Sequence, residues 1–190
     1  MLLHTSNTFV PYNAKLKEAD VIFVGVPFTS TSISKPALYG PTMVRESLKI
    51  FEDDDIFEKI HVCDVGDVDV VNGSFELTAK RIKETIEEIK NENKKAFIIF
   101  VGGEHGISLP IAESLKPKTI LQLDAHPDIQ KDYMGVKHSH ATWAYHASRF
   151  SSIVQIGVEK YTEKEKKIMK ECNIKSYTTE EFLKNNIILE

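Results

Sequence analysis

The chain has 190 residues, 42% apolar and 27% charged, which is enough to bury a sizeable core in one globular domain. Its formal net charge of -4, with both signs mixed along the chain, argues against a nucleic-acid partner. No apolar run approaches the roughly 20 residues that cross a bilayer, and the first residues lack the regions of a signal peptide, so we expect a cytoplasmic protein without a membrane partner.

Short apolar runs rich in β-branched residues alternate with longer polar stretches along the chain. This rhythm is typical of βαβ units, and it predicts an α/β protein with a parallel sheet covered on both faces. The predicted strands, in chain order, are residues 21–26, 61–65, 96–101, 119–123, 153–156 and 174–177, with a further strand beginning at 187–189.

Two stretches have the periodicity of helices with one buried face. The first covers residues 75–95, and its apolar positions are Leu77, Ile82, Ile86 and Ile89. The second covers residues 162–171, where Thr162 is placed to cap the helix. No repeat or Gly/Ser-rich linker divides the chain, so we predict a single domain over residues 1–190.

Two features that could suggest other sites are better explained as structure. Cys63 and Cys172 are far apart in sequence, which favours buried small side chains over a disulfide framework or a thiolate metal site. The acidic run at residues 52–55 has no spacing that converges on one ion, and it is interpreted as a solvated loop.

One predicted strand leads directly into two carboxylates that flank an imidazole. Residues 121–128 read LQLDAHPD, which places Asp124, His126 and Asp128 just after the strand. In parallel α/β sheets ligands bind beyond the carboxyl ends of strands, and this oxygen and nitrogen donor set suits Mn, Zn or Fe. The alternative is that Asp128 caps the next helix while the other two make ordinary hydrogen bonds.

A second strand end carries another histidine. Residues 100–106 read FVGGEHG, so His105 follows two glycines at the end of the predicted strand 96–101. The glycines could instead form a phosphate-binding loop, but the segment matches neither GxGxxG nor the lysine-containing P-loop. Two strand ends thus deliver candidate metal ligands.

GlyGlyGluHis at 102–105 and AspAlaHisProAsp at 124–128 closely resemble the metal-ligand motifs of arginases and agmatinases. The resemblance covers the chain from about residue 20 onward, and it includes segments at 25–28, 35–41 with Arg45, 64–67, 140–142 and 154–158. It implies an arginase-like, three-layer α/β/α fold with a mainly parallel sheet, truncated at its C-terminal end.

The resemblance also implies roles for particular residues. His105, Asp124 and Asp128 would hold one Mn²⁺, and His126 a second, with Asp124 bridging the two. A bridging water of lowered pKa would attack a guanidinium carbon to release urea and an amine. Asp128 would also pass a proton to the leaving amine, and His140 would serve near the substrate as a proton shuttle or anchor.

Some features depart from the family pattern. A complete ureohydrolase has a later strand with an Asp-x-Asp pair, whereas this sequence ends at residues 186–190, so we expect one Mn²⁺ or none. An open strand edge would favour a homo-oligomer or aggregation. Glu104 stands where the family usually has Asp, and Gly106 where a hydroxyl residue is common, which would affect how His105 is oriented.

The loop 129–139 lacks the pattern with which arginases hold the amino-acid end of arginine, which favours agmatine or a related guanidine as substrate. The leading prediction is therefore a manganese-dependent, agmatinase-like ureohydrolase. The alternatives are a non-catalytic metal-binding or assembly protein of the same fold, or an inactive fragment. Zinc deacetylases share a related fold and an Asp-x-His motif, but nothing here favours them. We interpret His4, His61, His138 and His146 as structural.

Overall fold

The computed structural model of the chain describes residues 4–6, 14–31, 35–51 and 59–184. The chain divides into two compact units, residues 1–114 and residues 115–190, and each is described by itself. The acidic run at 52–55 and the strand expected at 187–189 lie outside the described residues. The prediction of a single domain stays a prediction.

The first unit is a four-stranded sheet with helices. Its strands are β1 (Thr5–Ser6), β2 (Val21–Val26), β3 (Val62–Val68) and β4 (Phe97–Gly102), and its helices are α1 (Gly40–Leu48), α2 (Phe75–Glu92) and α3 (Ser108–Leu115). Single 3₁₀ turns occur at Leu16–Glu18, Lys35–Tyr39, Lys49–Phe51 and His105–Ile107.

The strand order in this sheet is β1-β3-β2-β4. Strand β2 pairs in parallel with both β3 and β4, and only β1 runs antiparallel. The carboxyl ends of β2, β3 and β4 therefore lie at the same edge of the sheet.

The core of the first unit forms between the sheet and α2. Strand residues such as Ile22, Val24 and Val65 are buried with the helix residues Ile82 and Ile86. The remaining buried members of this cluster are Ala19, Val26, Phe28, Cys63, Val68, Ile89 and Ile107. Three of the four predicted helix positions are thus in the core, but Leu77 is 52% exposed.

Both ends of α2 are set by side chains. At the start, the Ser74 hydroxyl accepts the main-chain N–H of Leu77, which satisfies one of the free donors of the first turn. At the end, Asn93 leaves the helical conformation, and its side-chain oxygen accepts the N–H groups of Lys95 and Ala96. The helix therefore ends at Glu92, three residues before the predicted end.

The second unit is a three-stranded parallel sheet with helices. Its strands are β5 (Thr119–Leu123), β6 (Ser152–Ile156) and β7 (Lys175–Tyr177), in the order β5-β6-β7, and its helices are α4 (Trp143–Ala147), α5 (Glu163–Glu171) and α6 (Thr179–Lys184). Its buried apolar residues include Ile153, Val158, Ile168 and Met169.

Helix α5 begins at the predicted cap. The Thr162 hydroxyl accepts the N–H of Glu165, and the Glu165 carboxylate accepts the N–H of Thr162 in return, which forms a capping box. The pKa of Glu165 is lowered. Burial is the largest single influence and would raise this pKa, but hydrogen bonds from Thr162 and Gln130 outweigh it.

The α/β class and the mainly parallel sheets are confirmed, and the six predicted strands within the described residues are all present. Strand β3 runs three residues further than predicted, to Val68, and the short β1 strand was not predicted. In the described part of the chain, no helix combines the length and the apolar character that a membrane span requires.

Candidate metal centre

The backbone that connects β4 to His105 packs closely against the backbone at the end of β2. The N–H of Gly103 donates to Val26 O over 3.0 Å, and the N–H of Glu104 donates to Phe28 O over 2.8 Å. A Cβ at Gly103 would lie 2.3 Å from Phe28 O, so no larger residue fits there. This approach fixes the backbone that enters the 3₁₀ turn in which His105, half-buried, is the first residue.

Glu104 ties the same strand end to the loop after β2. Its buried carboxylate accepts the N–H groups of Ser30 and Thr31 over 2.7 and 2.8 Å, and the Thr31 hydroxyl over 3.0 Å. Three donors satisfy a buried charge that would otherwise be costly. The longer Glu side chain in place of the usual Asp is therefore engaged with the β2 loop.

The acidic motif forms a loop after β5, which we call the 124–128 loop. The N–H of Asp124 donates to Ile156 O over 3.1 Å, which extends the pairing of β5 with β6 by one residue. Asp124 Oδ1 accepts the N–H of His126 over 2.9 Å and lies 3.5 Å from Nδ1 of the His126 ring. The carboxylate and the imidazole are thus brought together, and the His126 side chain is 58% exposed.

Asp128 is buried and sits in the left-handed backbone region, with φ of 48°. Aspartate adopts this conformation more readily than most residues. Its Oδ2 accepts the indole N–H of Trp143 over 3.0 Å, and its carbonyl accepts the N–H of Ala144 over 3.2 Å. The carboxylate is therefore held by a neutral donor at the start of α4.

His140 lies in a separate buried turn of the same unit. The Thr142 hydroxyl accepts the N–H of Ser139 over 2.8 Å, and both residues are buried. The half-buried His140 ring packs edge-on against Tyr133, with 4.8 Å between ring centroids. The turn fixes the backbone of His140 within the second unit.

The other histidines make ordinary structural contacts. The His138 and His146 rings pack edge-on at 5.1 Å, and His146 Nε2 lies 3.0 Å from Lys137 O. His4 lies 3.1 Å from the Glu84 carboxylate, and His61 lies 3.3 Å from that of Asp20. Cys63 is buried and Cys172 is half-buried, and both are free thiols.

A buried ion cluster lies elsewhere, in the first unit. Arg45 donates Nε and Nη2 to the two oxygens of Asp64 over 2.7 and 2.9 Å, and Nη1 to Asp67 over 2.5 Å. Burial raises the pKa of Asp67, although the bond from Arg45 opposes this. Burial alone would lower the pKa of Arg45, but the two carboxylates outweigh it and raise that pKa.

Sequence reasoning missed two residues that support the 124–128 loop. Gln122 and Gln155 are buried register partners on β5 and β6, and their amides bond to main-chain carbonyls of the loop. The signal was available, because each is a glutamine inside an apolar strand and a buried amide must find partners. Sequence reasoning also missed the pairing of Arg45 with Asp64 and Asp67.

The residue types in the 124–128 loop fit a divalent transition metal. Two carboxylates and one imidazole stand within five residues, and oxygen with nitrogen donors suits Mn, Zn or Fe better than a metal that prefers thiolates. The backbone contacts of Asp124 and Asp128 hold both residues in place.

A family model described as "Arginase family" matches residues 19–189. The N(1)-aminopropylagmatine ureohydrolase of Thermococcus kodakarensis is 36% identical over 166 residues, covering 83% of this chain and 57% of that protein. The agmatinase of Pyrococcus horikoshii is 37% identical over 151 residues, covering 74% of this chain and 52% of that protein.

Among solved structures, the agmatine ureohydrolase of Thermoplasma volcanium matches with a TM-score of 0.81 at 21% identity, covering 96% of this chain and 65% of that chain. At this identity the likeness shows the fold alone. The chain spans little more than half the length of the two sequence relatives.

Proposed function

Because this chain belongs to the arginase family, we propose that it serves a ureohydrolase activity of agmatinase type, hydrolysing a linear guanidine to urea and an amine. The observation that carries the proposal is the 124–128 loop, in which Asp124 and His126 are in contact and Asp128 is held by Trp143. The similarity to agmatinases over most of the chain supports it.

We propose Mn²⁺ as the metal, held by His105, Asp124 and Asp128. The motifs at 102–105 and 124–128 resemble the metal-ligand motifs of the family, which supports this assignment, and the three residues supply one imidazole and two carboxylates. Two carboxylates balance the charge of one divalent ion, which supports a single Mn²⁺ on these residues. A second ion on His126 and the shared Asp124 would be held weakly.

When bound, the ion supplies Lewis acidity, which makes water nucleophilic near neutral pH. Asp128 would pass the proton from the attacking water to the leaving amine as the C–N bond breaks. Its bond from Trp143 would keep the carboxylate oriented for that transfer. His140, fixed by the Ser139–Thr142 turn, would anchor the guanidine or carry protons.

The proposed substrate is agmatine or a related guanidine. The loop 129–139 lacks the Asn and Ser-Gly-Asn pattern of arginases, so it has no matching means of holding an amino-acid carboxylate and amine. The test is urea release by the purified chain with Mn²⁺, supplied in parallel with agmatine and with arginine. Turnover of arginine in preference to agmatine would overturn the substrate proposal.

A matched pair of variants tests the role of the loop. We expect Asp128→Asn to lose urea release and Mn²⁺ binding together, because it removes a charged ligand and the proton carrier. Asp132→Asn changes an exposed aspartate of the same unit, and it should leave both unchanged. Equal urea release by the parent and Asp128→Asn would contradict the proposed mechanism.

The second candidate function is a non-catalytic metal-binding or assembly protein, and two exposed strands favour it. Strand β4 pairs only with β2 in the described residues and leaves Phe97 69% exposed; β5 pairs only with β6 and leaves Leu123 71% exposed. Exposed apolar strand edges recruit other strands, so we propose a homo-oligomer.

Light scattering across protein concentrations tests the assembly. The second candidate predicts self-association with no urea release, and undiminished self-association in His126→Ala. Phe97→Lys should weaken it by placing charge on the edge, whereas Lys80→Ala, which changes an exposed position on α2, should not. A monomer at every concentration would exclude the assembly role.

A further inference from the structure

Two glutamine side chains connect the strands of the second unit to the 124–128 loop. Nε2 of Gln155 donates to Gln122 Oε1 over 2.8 Å and to Pro127 O over 2.7 Å. Nε2 of Gln122 donates to His126 O over 3.2 Å. Gln122 is 3% exposed and Gln155 is 0% exposed, and the two bonds donated by Gln155 are buried.

The orientation of both amides is set by the carbonyls that they meet. A carbonyl oxygen only accepts, so each amide must turn its NH₂ group toward the loop. Turning Gln155 around would set its oxygen against Pro127 O and Gln122 Oε1. The pair therefore forms a directed chain from β6 through β5 to the loop.

This arrangement leaves one acceptor unsatisfied. Gln155 uses both hydrogens of Nε2 on Gln122 and Pro127, and no donor within the described residues reaches its buried Oε1. A buried acceptor without a partner is destabilising. This cost is offset at the loop, because the two amides supply donors to the carbonyls of His126 and Pro127 that apolar side chains could not supply.

The amides complete the tethering of the loop backbone. Ala125 O accepts the N–H groups of Glu159 and Lys160, both over 3.0 Å, and Asp128 O accepts the N–H of Ala144. Together with the two glutamine bonds, all four carbonyls from residue 125 to residue 128 are engaged. With four of its five carbonyls engaged, the 124–128 loop presents its side chains in one arrangement.

We propose that Gln122 and Gln155 are positioning residues for divalent-cation binding, acting through the carbonyls of His126 and Pro127. The inference rests on the proposed function, since it names what prepares the same loop. Neither glutamine is one of the proposed metal ligands. They keep the loop in the conformation that binding requires, so that less conformational entropy is lost when the ion binds.

The test replaces each glutamine by methionine, which keeps an unbranched chain of similar length without the amide. The matched control is Ser151→Ala. The Ser151 hydroxyl donates to Pro117 O over 2.7 Å, a bond to a proline carbonyl at the other end of the same two strands. The Ser151→Ala substitution therefore removes a comparable hydrogen bond that does not involve the 124–128 loop.

Titration calorimetry with Mn²⁺ on the full chain gives the first readout. We expect Gln155→Met and Gln122→Met to weaken binding about tenfold to a hundredfold, and Ser151→Ala to bind like the parent. Parent-like affinity in both folded glutamine variants would overturn the proposal. If Gln155→Met fails to fold, Gln122→Met, which loses one loop bond directly, decides the result.

Amide hydrogen exchange without metal gives the second readout and separates this inference from the proposed function. We expect faster exchange at the N–H groups of His126 and Asp128 in the glutamine variants, with parent rates in Ser151→Ala. If the parent chain binds no Mn²⁺, the metal proposal fails. Unchanged exchange in the glutamine variants would overturn the positioning role whatever the metal result.

Discussion

The fold treats two pairs of aspartates differently, although each pair lies within five residues of sequence: Asp64 with Asp67, and Asp124 with Asp128. Asp64 and Asp67 belong to β3 and face the buried guanidinium of Arg45. Asp124 and Asp128 follow β5: Asp124 accepts the main-chain N–H of His126 and lies near the His126 ring, and Asp128 accepts the indole N–H of Trp143.

The difference shows that a pair of carboxylates can have a structural role or a binding role, depending on its partners. The first pair is balanced by a cation from the chain itself, so it serves the fold. The second pair accepts bonds from a main-chain N–H and an indole, and it is the pair that we propose binds a divalent ion. Substitutions and metal addition should affect the two pairs, and the elements near them, to different degrees.

Arg45→Leu should cost about 3–5 kcal/mol of unfolding free energy, because it leaves two buried carboxylates without their cation. Burial already raises the pKa of Asp67, and without the guanidinium it would rise further, so the folded variant would bind protons more readily. The deficit against the parent should therefore shrink as the pH falls.

Urea denaturation at several pH values measures the Arg45 effect. Lys49→Ala is the control, since Lys49 makes an exposed pair with Glu46 on the same helix region and should change stability by under about 0.5 kcal/mol. A deficit in Arg45→Leu that is equally small would mean that the cluster contributes nothing to the fold.

Mn²⁺ at a hundredfold excess over its dissociation constant should stabilise the chain by about 2.7 kcal/mol. Thermal unfolding with and without the ion measures this, and a chelator should reverse it. Asp124→Asn should abolish the stabilisation, whereas Asp132→Asn should retain it. A metal response that survives Asp124→Asn would place the ion elsewhere and break the comparison.

Gly25→Ala should destabilise the chain by about 1–3 kcal/mol through overpacking. A Cβ at Gly25 would lie 1.8 Å from Asp67 Oδ1, so the methyl group would push the carboxylate away from Arg45. Gly73→Ala is the control, because nothing lies within 4 Å of a Cβ there. Equal melting temperatures for the two variants would show that the Asp67 carboxylate can move aside without a loss of stability.

Glu165→Gln should cost about 1 kcal/mol at neutral pH by weakening the capping box of α5. The pKa of Glu165 is lowered, so its contribution is present above the ordinary glutamate pKa and is lost as the pH falls through the lowered value. Parent and variant should therefore converge in acid. A constant difference in unfolding free energy across that range would rule out an ionic contribution.

Much of this molecule was predictable from local pattern. The strand 119–123 was predicted to the residue, and Thr162 was correctly predicted as a cap because hydroxyl residues satisfy free N–H groups at helix starts. The end of α2 was predicted three residues late because the side chain of Asn93 overrides a helix-favouring composition through bonds to distant residues, including Leu16 O.

The amino-acid sequence by itself determined the α/β class, the family and the placement of Asp124, His126 and Asp128 after one strand, because periodicity and short motifs are local. Only the tertiary structure decided which carboxylates take Arg45 as their cation, that Leu77 faces solvent, and that Gln122 and Gln155 hold the 124–128 loop. Arg45 and Asp64 are 19 residues apart, and Gln122 and Gln155 are 33 apart. Such partners meet only when helices and strands pack together, and no local pattern encodes that meeting.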